Sequence, residues 1–96
     1  MELFNVSHEL TKPIDAKRIF RDDEREIMHI RLMEGEEIRE HDSPKHVFIF
    51  VKSGSVEFTV NNEPHPINAE TILHMEPRER HALKALSDVS ILVMKC

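Results

Sequence analysis

The stretch GEEIREHDSPKHVFIFVKSG, residues 35–54, decides how the rest of the chain is read. It begins and ends on Gly35 and Gly54, the only two glycines in 96 residues. A chain built from turns normally spends glycine freely, so glycines this sparse mark positions where the backbone has few alternatives. Between them, Glu37 to Glu40 reads as a short polar strand and Asp42-Ser43-Pro44 as a loop. Val47-Phe48-Ile49-Phe50-Val51 then follows, apolar at every position, as befits a strand covered on both faces.

Working outward, the same rhythm continues in both directions. Ile27 to Leu32 alternates, with Met28, Ile30 and Leu32 on one face and Ile27, His29 and Arg31 on the other, which places His29 on the more exposed side. Val56, Phe58 and Val60 alternate with Glu57 and Thr59 and form an inward face. Asn61-Asn62 predicts a hairpin turn, because Asn tolerates the positive φ such turns require. Thr71 to Met75 is a further strand, and Ala82 to Leu86 and Val89 to Met94 form a last pair around Ser87-Asp88. Upstream, Phe4 to Val6 and Arg18 to Phe20 read as short strands, with Asp15 to Arg21 open to a helical turn instead. About nine strands with turn signals between them predict one all-β domain over residues 1–96: N-terminal strands or an arm over 1–25 and a barrel core over 26–96.

Composition narrows the function classes. Thirteen basic residues against eighteen acidic ones give a net charge of −5, which repels phosphate backbones and argues against nucleic acid. No apolar run reaches the length of a membrane span. The acidic start, Met-Glu-Leu-Phe-Asn, lacks the basic region of a secretory signal. A single cysteine, Cys96, permits no internal disulfide, and together these features predict a cytoplasmic protein. No phosphate-binding glycine loop, nucleophile motif or cysteine-based metal signature is present. Seven histidines are the one compositional hint of chemistry.

The segment from Gly35 to Gly54 resembles the first motif of the cupins, which runs glycine, five residues, a histidine pair separated by one residue, a glutamate, six residues and a glycine. Both glycines and His41 fall in place, while Ser43 replaces the second histidine and Val47 the glutamate. Glu70 to His81 resembles the second motif. Glu70 and Arg78 stand for its glycines, Glu76 for its proline, and His81 for its histidine. The resemblance implies a small cupin barrel of the double-stranded β-helix, or jelly-roll, type, with a divalent transition metal (zinc, nickel, manganese, iron or copper) held inside by histidines and a glutamate.

Carried over residue by residue, that site is His41 and His81, with His46 as the third ligand. His46 lies one place before the lost glutamate. Strict alternation aims it away from the ligand side, so it ligates only if the Asp42 to His46 loop bulges or the strand starts later; otherwise it is a rim or dimer-contact residue. His74 shares a face with Ile72 and reads as a hydrogen-bonded core histidine, with a fourth ligand as the alternative. His8 and His65 read as surface residues. No catalytic residue and no organic cofactor can be named.

The expected function is therefore binding of a divalent metal, a small organic ligand or both inside the barrel, with metal-dependent catalysis as one extension. A non-catalytic binder or sensor with a degenerate metal site is the alternative, and a barrel that serves mainly to dimerise is a third. Strands apolar on both faces, Val47 to Val51 and Val89 to Met94, predict a homodimer.

Overall fold

The computed structural model of the chain describes residues 1–7 and 9–96; His8 lies outside the described residues. Nine strands follow one another: β1 (Ile14–Arg21), β2 (Glu26–Leu32), β3 (Glu37–His41), β4 (Val47–Ser53), β5 (Val56–Val60), β6 (Glu63–Ile67), β7 (Ile72–Met75), β8 (His81–Ala85) and β9 (Val89–Lys95). They form two antiparallel sheets, one ordered β1-β2-β9-β4-β7 and the other β3-β8-β5-β6. The all-β expectation holds, and no helix among the described residues is long and apolar enough to cross a membrane.

The sheets close over a core built by alternation. Leu32, Val47, Ile49, Val56, Phe58, Met75, Val89 and Ile91 are each at most 2% exposed. They come from five strands of the two sheets, so the interior is shared by both. Val56 and Phe58 point inward as expected, with Val60 packed against the cluster.

The two glycines carry different loads. A Cβ on Gly54 would lie 2.1 Å from the Asp88 carbonyl oxygen, at a φ of +80°. The β4–β5 and β8–β9 turns thus approach too closely for any side chain. Gly35 has φ +86° but open space around it, so only its backbone conformation favours glycine. Asn61 and Asn62 adopt φ of 51° and 67°, the positive values the hairpin between β5 and β6 was expected to need.

The reading of the N-terminal strands is revised, and one further strand appears. Phe4 to Val6 joins no sheet; it is part of an irregular arm held from outside, where Lys52 Nζ donates to the Val6 carbonyl at 2.6 Å and Arg31 Nη1 to the Glu9 carbonyl at 2.6 Å. Arg18 to Phe20 is the end of the longer β1, paired with β2 and bulged between Arg18 and Phe20; no helical turn forms there. Glu63 to Ile67 is a strand despite Pro64 and Pro66. It pairs only with β5, and an edge strand can lack N–H groups on its open side, where proline also blocks pairing with another chain.

His29 is also corrected: it is 3% exposed. It occupies the outer face of β2, but β2 lies between β1 and β9, and the His29 Nε2 meets Ser90 Oγ at 2.5 Å. Alternation identified its face; that this face is covered was not visible in a single strand.

Candidate functional site

At one end of the barrel β3 and β8 run side by side and bring His41 opposite His81. The imidazole rings stand 4.2 Å apart at 61° to each other. His41 Nδ1 lies 2.8 Å from the Arg39 carbonyl, and His81 Nδ1 lies 3.0 Å from the Glu79 carbonyl. A carbonyl oxygen only accepts, so in both rings Nδ1 carries the proton, which leaves Nε2 as an acceptor when the ring is neutral. His81 is 5% exposed. Burial holds its pKa below the ordinary value against the hydrogen bond to Glu79, and proximity to His41 and Lys95 pushes the same way, outweighing the opposing pull of Asp42.

These two histidines line a cavity of about 210 Å³ whose other polar side chains are Ser43 and Lys95. The remaining wall is apolar, from Ile30, Ile38, Ile49, Phe58 and Leu83 among others. Ser43 is 7% exposed and occupies the place implied by the motif. A wider depression of about 630 Å³ shares Ser43 and Lys95 with the cavity and is edged by Arg21, Asp22, Glu26 and Lys45.

Lys95 was not anticipated from the sequence. Its signal lay in parity: Val89, Ile91 and Val93 are buried, and Lys95 continues the same alternation onto the inward face of β9. Arg78 and Arg80 at the barrel mouth are each paired with a carboxylate, Asp42 at 3.7 Å and Glu40 at 2.5 Å. These pairs are exposed and draw both cations away from a ligand role.

The structure does not bring His46 to His41 and His81. Its backbone exchanges two 3.1 Å hydrogen bonds with Cys96, so the β4–β9 pairing continues through His46 with no bulge. Val47 is 2% exposed and faces the interior, so His46 faces out. There His46 Nδ1 lies 2.9 Å from His74 Nε2 and 3.7 Å from Glu76 Oε2. His74 is accordingly an exposed residue of the outer sheet face, not a core histidine. Among the described residues, His46, His74 and Glu76 are the one group whose donor atoms converge, all within 4.8 Å of one another. His65 is exposed on β6, as expected.

A metal held inside the barrel needs at least three converging donors. The barrel end offers two imidazoles and Ser43, with Val47 where a carboxylate would be required and the cationic Lys95 in the same cavity. This set does not fit a tightly held divalent ion, and no step is derived through one.

Residues 28–95 match the cupin domain family. Solved structures with the same fold include an RmlC-like cupin from Desulfovibrio desulfuricans, at 18% identity over 100% of this chain and 96% of that one, TM-score 0.88. A second, from Methanocaldococcus jannaschii, is an RmlC-like cupin described as a double-stranded β-helix, at 17% identity over 100% and 90%, TM-score 0.87. A conserved protein of unknown function from Streptococcus pyogenes is 21% identical over 99% and 94%, TM-score 0.81. At these identities the likeness is one of fold. No curated protein matches the chain by sequence.

Proposed function

The chain belongs to the cupin family, and we propose that its barrel binds a small organic acid without catalysing a reaction on it. The observation that carries this reading is Lys95 on the wall of the same cavity as His41, His81 and Ser43. An anionic head group there would meet the Lys95 ammonium, the Ser43 hydroxyl and two imidazoles able to take up a proton. The apolar wall suits a short hydrocarbon body. At about 30 Å³ per water, a cavity of about 210 Å³ holds the volume of roughly seven waters, so the ligand is small.

The metal reading and the acid reading respond oppositely to pH. A divalent ion displaces protons from imidazole, so its affinity falls as pH falls. An anion favours imidazolium, so its affinity rises as pH falls. Because burial lowers the His81 pKa, the rise continues below about 6.5, the ordinary imidazole value. Calorimetric titration with short carboxylates and their matching amides, on the wild type and Lys95→Met, tests the proposal. The expected result is binding of the carboxylate alone, tighter at lower pH and lost in Lys95→Met. Absence of carboxylate binding overturns it. Zinc binding that is lost in His41→Ala and His81→Ala and weakens at low pH would restore a metal inside the barrel.

A second copy of the chain is the proposed partner on the outer face of the five-stranded sheet. Two cross-strand rows there are largely apolar: Ile72, Phe50 and Leu92 in one, Phe48, Met94 and Ile27 in the other. A cytoplasmic setting suits the exposed free thiol of Cys96.

A further inference from the structure

We infer that His46, His74 and Glu76 form a divalent transition-metal site on the outer face of the five-stranded sheet, separate from the barrel cavity. The register of β4 against β7 builds it. Phe48 pairs with His74 and Val47 with Met75, so one step further along His46 comes to stand opposite Glu76. Val47 and Met75 are buried at 2% and 1% exposure. Alternation therefore sends His46, His74 and Glu76 together to the opposite face.

Their donor atoms are already close to the separations a metal imposes. Tetrahedral bonds of about 2.0–2.2 Å to nitrogen and oxygen place neighbouring donors about 3.3–3.6 Å apart. Here the His46 Nδ1 to His74 Nε2 distance is 2.9 Å and the His46 Nδ1 to Glu76 Oε2 distance is 3.7 Å. In the metal-free form the two ring nitrogens share a hydrogen bond, and so one of them carries the proton. A bound ion takes the place of that proton, which requires only that the exposed rings open by a small rotation.

Supports outside the ligand set hold the arrangement. Phe48 stacks on the His74 ring at 4.7 Å and 25°, and the two imidazoles lie within 18° of parallel. The Glu76 backbone N–H donates to Glu79 Oε1 at 2.7 Å, while Glu79 Oε2 accepts from Asn61 Nδ2 at 2.9 Å. The paired backbone bonds to Cys96 fix His46. Two imidazoles and one carboxylate suit zinc and its neighbours, and leave a coordination position to water. The Cys96 thiol shares this face but is not among the converging atoms.

Titration of zinc into protein carrying no histidine tag, followed by calorimetry and by the shift in Tm, tests the site. One equivalent is expected to bind the wild type and raise its Tm. His46→Ala, His74→Ala and Glu76→Gln should each weaken binding by more than the roughly 10–100-fold that loss of an outer supporting group costs. All three residues are exposed in the chain, so each variant should still fold, read as a cooperative metal-free unfolding transition. Cys96→Ser and the His41→Ala, His81→Ala double variant should bind as the wild type does, which separates this site from the barrel and from the terminal thiol. No zinc binding by the wild type, or undiminished binding by His46→Ala, overturns the inference. So does binding abolished by Cys96→Ser.

Discussion

His41 and His81 face each other across the β3–β8 pair with ring centroids 4.2 Å apart, and each ring donates Nδ1–H to the carbonyl two residues before it. The same local bond on both strands aligns two Nε2 atoms at one end of a cavity. His81 is buried while His41 is exposed, an inequality of burial within one pair.

That inequality has a consequence for stability. The folded pKa of His81 is lowered, chiefly by burial, whereas in the unfolded chain it titrates near 6.5. Below that value the unfolded state binds the extra proton first, so the His81 contribution to stability is full above pH 6.5 and declines as pH falls toward the folded pKa. Denaturant unfolding of the wild type and His81→Gln from neutral to mildly acidic pH should show a smaller loss in the variant. Parallel pH profiles would mean that His81 is not buried in the neutral form.

Arg78 occupies the place of the second glycine of the second cupin motif, and it has φ +71°. Its N–H donates to the Ser43 carbonyl at 2.7 Å, which ties this turn to a residue of the cavity wall. Left-handed backbone costs a non-glycine residue about 1–2 kcal/mol. Glycine relieves this but adds unfolded-state freedom worth about 0.4–1 kcal/mol. Arg78→Gly should therefore be neutral to mildly stabilising, and Arg78→Val destabilising by more than 1 kcal/mol or so. Equal midpoints for the two variants would contradict the strained geometry.

How much of this was legible depended on whether one strand or several carried the information. Gly54 was visible because its turn has a single solution, and Asn61-Asn62 because their φ requirement is local. The inward face of β5 followed from Val56, Phe58 and Val60 alone. Lys95 and His46 were equally available from parity, but each needed an anchor: Val93 inside fixes Lys95 inside, and Val47 inside puts His46 outside. The motif pulled His46 toward the barrel against that alternation. What no single strand holds is sheet order. The burial of His29, the edge position that accommodates Pro64 and Pro66, and the meeting of His74 with His46 all depend on which strands lie next to each other.

Phe58 is 1% exposed and forms part of the cavity wall. Phe58→Ala should cost on the order of 3–5 kcal/mol, a large share of what a small domain has. His65, exposed on the edge strand β6, should tolerate alanine with a change within about 0.5 kcal/mol. Urea denaturation of both variants reads the contrast. An unchanged midpoint for Phe58→Ala would mean that the β5 side chains do not support the interior.

The outer sheet face makes the last prediction. β4 and β9 turn Val47, Ile49, Val51, Ile91 and Val93 to the interior, yet their outward positions are Phe48, Phe50, Leu92 and Met94. Ile72 extends the same face at 63% exposure. Apolar residues in adjoining rows across three strands form a continuous patch, which a two-fold partner can cover with the same patch. Light scattering at micromolar concentration should return twice the chain mass of 11.3 kDa. Phe50→Glu places a charge in the middle of the patch without touching the interior, so it should yield a monomer that still unfolds cooperatively. Monomeric wild type, or a Phe50→Glu variant that remains dimeric, would place the contact elsewhere or nowhere. Zinc should leave the mass of Phe50→Glu unchanged, because the three metal ligands come from one chain.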